Sequence, residues 1–133
     1  MKRIFIVILL LTLFASHISA KEIWENVGNG IYIDVQSVKN NKDGTATAIF
    51  KTFAVNERDL YNINGIKVYY TIDEWKAYCR ESKVLDIKYS KLYDKNSTLL
   101  EVINDNGKGI CADYNAYVDG ETYYNAICNH KHK

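Results

Sequence analysis

The chain has 133 residues, 47% of them hydrophobic and 25% charged, with 17 basic residues against 16 acidic ones. A balance this close to zero offers no basic surface for nucleic acid or an anionic membrane to read. The length suits one small domain with a single modest core.

Residues 1–20, MKRIFIVILLLTLFASHISA, set Lys2 and Arg3 ahead of an apolar run from Ile4 to Phe14 and close on the small residue Ala20. This is the pattern of a secretory signal peptide, with cleavage expected after Ala20. The run is shorter than the roughly 20 residues a spanning helix needs, so no membrane span is expected once the leader is removed. The leader holds no cysteine, so lipid attachment at the cleavage site is not supported. Residues 21–133 are then the expected single domain, with 15 basic residues against 16 acidic ones after Lys2 and Arg3 are lost.

That domain opens on a short strand around Trp24, closed by Gly28, Asn29 and Gly30, where a tight reversal is favoured. Residues 31–38, IYIDVQSV, begin as a strand and lose alternation after Asp34. The Asp43-Gly44 pair lies between two strand-like runs, which predicts a hairpin. Residues 45–55, TATAIFKTFAV, carry apolar side chains on both faces and read as a central strand covered at least in part on each side. Residues 56–67, NERDLYNINGIK, are polar and read as a long connection, the first candidate for a binding loop.

Residues 68–93, VYYTIDEWKAYCRESKVLDIKYSKLY, read as two neighbouring strands joined by a polar turn at Arg80, Glu81 and Ser82. In the first, Trp75, Ala77 and Cys79 share a face if the segment is extended, although Ile72, Trp75 and Cys79 would also line a helix. In the second, Leu85, Ile87, Tyr89 and Tyr93 are expected on one face and Asp86, Lys88 and Ser90 on the other. A turn at residues 94–97, a further strand at 98–103 and a strong turn signal at 104–109, NDNGKG, follow. Residues 110–117 have no usable period. From Asp119 onward a helix is expected: Asp119 as the cap, Val118 and Tyr123 as a hydrophobic staple, and Tyr124, Ile127 and Cys128 as the apolar stripe. The fold class is therefore α+β and mostly β, an antiparallel sheet of about six strands with a C-terminal helix packed on one face.

Cys79, Cys111 and Cys128 all lie in the exported part, where disulfides form and persist. Three cysteines allow one bridge and one free thiol. Cys79 with Cys128 is the favoured pair, leaving Cys111 free; Cys111 with Cys128 and Cys79 with Cys111 stay open.

Trp24, the YID of Tyr32 to Asp34 followed by Ser37 and Val38, a strand ending in Cys79, the run KYSKLYDKNSTLLE at residues 88–101 and a terminal helix ending in Cys128 together resemble the bacterial surface-adhesin protein E family. The resemblance covers essentially the whole exported part. It implies a small exported domain in which a helix is tied to an antiparallel sheet by a disulfide between the cysteines that match Cys79 and Cys128. It also implies a protein partner, a host matrix or serum protein, although likeness of fold does not carry a ligand across. Cys111 has no counterpart in the pattern.

Chemistry-bearing residues are sparse. His130 and His132 stand at the fraying end of the chain, poorly placed to serve a nucleophile in a cleft. With Cys128 in a bridge they are too few for a closed zinc site, and no cofactor is expected. Asp105, Asn106 and Gly107 start like a calcium loop but lack its spaced ligands and late bidentate glutamate. Asp34, Asp73, Glu74, Asp86 and Asp94 are read as solvated strand-edge carboxylates. Eleven tyrosines exceed ordinary composition, and tyrosine supplies contact area at low entropic cost. Tyr61, Asn62 and Ile63 in the long connection, with Tyr114 and Tyr117 before the helix, are the candidate contact residues; Tyr32, Tyr89 and Tyr124 are expected in the core. The expected role is a non-enzymatic protein-binding domain, adhesin E-like, with a periplasmic accessory domain as the alternative and a small hydrolase as a distant one.

Overall fold

The run TATAIFKTF at Thr45–Phe53 forms the central strand of the sheet because its small and β-branched residues fit between neighbours on both edges. The computed structural model describes residues 21–54, 62–80, 83–104 and 111–130. The leader, Tyr61 and the turn at Asp105, Asn106 and Gly107 therefore lie outside the described residues.

In chain order the strands are β1 (Trp24–Gly28), β2 (Ile31–Asp34), β3 (Lys39–Asn40), β4 (Thr45–Phe53), β5 (Asn62–Ile63), β6 (Ile66–Lys67), β7 (Tyr70–Tyr78), β8 (Val84–Tyr93), β9 (Leu99–Asn104) and β10 (Ala112–Asp113), followed by helix α1 (Gly120–Cys128). All strand pairs are antiparallel, in the order β1-β2-β4-β7-β8-β10. β3 continues the β2 position along β4, and β9 shares the outer edge of β8 with β10. Among the described residues the sheet thus has six strand positions, as the sequence leads one to expect.

The 56–67 stretch is only in part the expected open connection. β5 and β6 form a hairpin closed by Asn64 and Gly65, both at positive φ (51° and 81°), the conformation that Asn-Gly supplies in a two-residue turn.

Alternation along β4 and β7 turns Ala46, Ala48 and Phe50 and, opposite them, Ala77, Trp75 and Asp73 to one face. There Ile31, Ile33, Leu85 and helix residues Tyr123 and Ile127 complete the core. The Tyr123 ring stacks on Trp75 at 4.5 Å and meets Phe50 edge-on at 4.9 Å. The buried stripe of α1 is accordingly Gly120, Tyr123 and Ile127, with Tyr124 and Cys128 half-buried on its flank. Both sets fit a helical repeat, and the slot between Phe50 and Trp75 selects Tyr123.

The helix start also departs from expectation. Asp119 holds the cap position in a left-handed conformation with no side-chain cap bond; its Oδ1 accepts from Asn29 Nδ2 at 3.3 Å instead. Val118 is 88% exposed, so no staple forms. The constraint here is Gly120, where a Cβ would stand 1.8 Å from the Tyr114 carbonyl oxygen, because the short 3-10 turn at Tyr114–Ala116 runs against the helix. Gly120→Ala is expected to destabilise the fold by about 1–3 kcal/mol, as overpacking against backbone does. Urea unfolding measures it, and an unchanged midpoint would mean the turn yields freely.

A second correction concerns β8. Glu74 pairs with Tyr89 but Trp75 pairs with Ile87, so Lys88 is an extra residue and the alternation shifts by one there. Leu85 and Ile87 lie opposite Ala77 and Trp75, while beyond the bulge it is Ser90 and Leu92 that lie opposite Asp73 and Thr71. Tyr89 and Tyr93 therefore do not share the face of Leu85 and Ile87. Tyr93 stacks on Tyr70 at 4.9 Å, in a row that continues through Phe53 to Tyr32 with the Lys51 ammonium over Phe53 and Tyr70. Tyr32, expected in the core, is half-buried in this row.

Cys79, just past β7, is bonded to Cys128 at the end of α1, with their Cα atoms 5.6 Å apart, and Cys111 is free and exposed.

Candidate functional site

A nine-residue helix is about 14 Å long at 1.5 Å per residue. Strands of nine and ten residues such as β7 and β8 reach about 30 Å at 3.3 Å per residue. The helix can therefore cover only part of the sheet. Where its cover ends, the face carrying Thr71, Asp73, Ser90 and Leu92 runs on into a groove of about 850 Å³.

Three elements wall this groove. The β5–β6 hairpin contributes Asn62 and Ile63, the approach to the helix contributes Tyr117, and the edge strand β9 contributes Glu101, Ile103 and Asn104. β9 is turned to the same face because Glu101 pairs with Leu92 and Ile103 with Ser90. Ile103 is half exposed, and Leu99 and Val102 of the same strand are also open to solvent. A smaller hollow of about 340 Å³ lies elsewhere, beside the turn at Val35–Ser37.

Two carboxylates expected on solvated strand edges are buried in this groove, which corrects the sequence reading of Asp73 and Asp86. Asp73 is 7% exposed and Asp86 2%, and both line it. Asp73 is held by its neighbours: Thr71 Oγ1 donates to Oδ2 at 2.8 Å, and Ser90 Oγ donates to Oδ1. The bulge at Lys88 is what brings Ser90 opposite Asp73. The Trp75 indole N–H lies beside this carboxyl without a hydrogen bond of normal geometry. Burial nonetheless dominates and raises the Asp73 pKa above its ordinary value of 3.8, against the hydrogen bonds from Ser90 and Thr71. Asp86 Oδ2 accepts from the Lys88 ammonium at 3.1 Å, while its Oδ1 has no partner among the described residues. Asp34 is also buried, and its Oδ1 caps the 3-10 turn by accepting from Gln36 N at 3.1 Å.

The raised Asp73 pKa fixes the sign of a pH effect. Because the folded chain holds this proton to higher pH than the unfolded chain does, the stability it contributes is complete below the ordinary carboxylate range and is lost as pH rises through the folded value. Asp73→Asn stays neutral, so its stability relative to the parent chain is expected to improve from about pH 4 to about pH 8. Denaturant midpoints over that range check this, and a constant difference would contradict it.

Burial raises the phenol pKa of Tyr117, helped by the Asp86 charge, and that of Tyr89, helped by Glu74 and Asp73. Beside the start of β10, the hydrogen bond from Cys111 Sγ to Tyr78 Oη (3.4 Å), with burial adding to it, pushes that phenol up to about 12.

Of the residues singled out from sequence, Asn62, Ile63 and Tyr117 come together at the groove. Tyr117 also packs edge-on against Trp75 at 5.1 Å. Tyr114 does not join them; it stacks on Tyr124 at 5.6 Å beside the bridge end of the helix. Tyr124 is half-buried there and Tyr89 lines the groove, so neither is a core residue. Tyr61 lies outside the described residues. Sequence reasoning missed Asp73, Asp86, Glu101 and Ile103, and no local signal marks them, since each is brought in by pairing across the sheet. Cys128 is committed to the bridge, and among the described residues no three His, Cys, Asp or Glu side chains cluster as a metal site. No helix of the described residues is long and apolar enough to cross a membrane. In comparisons with known proteins, the chain matches no family model, no curated protein and no solved structure.

Proposed function

We propose that this chain is an exported, non-enzymatic binding domain, similar to surface-adhesin protein E, that holds a protein partner at the groove between the β5–β6 hairpin and β9. The observation that carries the reading is convergence. Asn62, Ile63, Tyr117 and Ile103 line one hollow, and Ile103 stands half exposed on the edge strand β9 that walls it. An exposed apolar patch beside a concave surface is a frequent mark of a protein-contact site, and an uncovered edge strand is a template on which a partner can add. The disulfide suits export to an oxidising compartment.

The test is retention of host matrix and serum proteins by immobilised residues 21–133, compared with retention by the Ile103→Asp variant and with capture from a bacterial envelope fraction. Expected is a matrix or serum protein held by the parent chain and lost on Ile103→Asp. Retention of envelope proteins only, or equal retention by both chains, overturns the reading.

A further inference from the structure

Asp73 is a buried carboxyl without a counter-ion. It is 7% exposed, and among the described residues no cationic side chain pairs with it. Two hydroxyls hold it instead, Thr71 Oγ1 donating to Oδ2 at 2.8 Å and Ser90 Oγ donating to Oδ1. An ionised carboxyl in such a place is unfavourable until a positive charge stands beside it.

The register puts this cluster on the groove side of the sheet. Asp73 pairs with Ser90 and Ser90 with Ile103, while the next row runs through Thr71, Leu92 and Glu101. Residues paired across an antiparallel ladder share a face, as do residues two apart on one strand. All six therefore stand on one face, and all six line the groove. Ser90 and Thr71 are only half-buried, so the cluster meets the groove through its hydroxyls.

Those hydroxyls define the kind of group that fits. Each donates its one proton to Asp73 and keeps its lone pairs, which leaves acceptors beside a carboxyl. None of the described lining residues is basic. Of the other two carboxylates in the lining, Asp86 is paired with Lys88 and Glu101 is exposed at the rim. The complement is a cationic group that carries N–H donors.

The walls define what that group is attached to. Ile63, Leu92 and Ile103 supply alkyl surface and Tyr117 an aromatic ring. The volume of about 850 Å³ lies within the roughly 300–1,000 Å³ that small-molecule sites occupy.

We propose that the groove is a binding site for a small organic amine, its ammonium received by Ser90 and Thr71 beside the Asp73 carboxylate and its apolar body lying against Ile63, Leu92 and Ile103. This goes beyond protein contact along the hairpin and β9, and its test uses no protein partner, so either reading can fail alone.

Phenethylamine is the probe, with 2-phenylethanol as its neutral counterpart of the same shape and methylamine as a cation without the body. Each is titrated into residues 21–133 at about pH 8, where alkylamines remain protonated, and followed by amide chemical shifts. Phenethylamine is expected to saturate at millimolar concentration or below, with shifts at Thr71, Asp73, Ser90 and the β5–β6 hairpin. The alcohol and methylamine are each expected to bind about tenfold more weakly or worse, the scale of a lost charge-assisted hydrogen bond or of lost apolar burial. Asp73→Asn, which keeps the shape and removes the charge, is expected to weaken phenethylamine about tenfold and to leave the alcohol unchanged. Ile63→Ala on the hairpin is expected to weaken both.

Equal affinity for phenethylamine and 2-phenylethanol overturns the proposal even if Asp73→Asn fails to fold, because that comparison uses the parent chain. So does an unchanged phenethylamine affinity in a folded Asp73→Asn chain, or an Ile63→Ala chain that binds both probes as the parent does. Methylamine binding as tightly as phenethylamine removes the walls from the account and the proposal with them. Shifts centred on Tyr32 and Lys51 in place of the groove, or no saturation at millimolar amine, also overturn it.

Discussion

Reduction of the Cys79–Cys128 bridge is expected to cost the folded chain about 2–4 kcal/mol, or roughly 8–16 °C of midpoint for a domain of this size. The bridge spans 49 residues of sequence, and closing a loop of that length restricts the unfolded chain by about 4 kcal/mol in the chain-entropy account. The folded state has a second stake in it. Nine residues are too few for a helix to persist alone in water, and α1 is the element that closes the core over Phe50 and Trp75. Near the bridge the Tyr124 hydroxyl reaches the Cys79 carbonyl only at 3.5 Å, a long contact that would hold little once the sulfurs part. Thermal unfolding with and without reductant measures the loss. Alkylation of the unreduced protein should label Cys111 alone, since that thiol is free and exposed. Coincident unfolding curves, or label on Cys79 or Cys128, would contradict the account.

Phe50→Ala should be costlier still, about 3–5 kcal/mol, the range for emptying a buried aromatic site. Phe50 is fully buried at the middle of the central strand, with Ile33 opposite on one side and Asp73 on the other. Its ring is one of two surfaces that hold Tyr123, and the Tyr123 hydroxyl is bound to Thr52 Oγ1 at 2.6 Å on the same strand. The cavity would therefore open between sheet and helix, where the backbone of neither can collapse into it. Denaturant unfolding with the near-ultraviolet signal of Trp75 as probe reads both the stability and the loosened stack. A cost below about 1 kcal/mol would mean the helix does not rest on this strand.

What could be read from the sequence was local. Asp43-Gly44 announced the β3–β4 turn, and TATAIFKTF announced a strand with neighbours on each side, because turn chemistry and β-branching act within a few residues. Asn64-Gly65 carried the signal of the β5–β6 hairpin too, masked by the polar residues around it. The bulge at Lys88 was invisible, since an extra residue leaves the pattern of side chains intact and changes only which partner each one meets. That single offset moved Tyr89 and Tyr93 off the expected face and set Ser90 against Asp73. The buried carboxylates were lost for the same reason: an Asp between apolar neighbours in a strand looks solvated until the strand opposite supplies donors and cover. Tyr123 was passed over for Tyr124 because adjacent helix positions differ in burial only once the sheet beneath them is known.

Amide hydrogen exchange on residues 21–133, free and bound to a protein retained from matrix or serum, tests most directly where this chain makes its contact. Slowed exchange should be confined to Asn62–Ile63, Ile66–Lys67 and Leu99–Asn104, with the rest of the sheet unchanged. Protection centred on Trp24–Gly28 or on the outer surface of Gly120–Cys128, with those three strands unaffected, would contradict it.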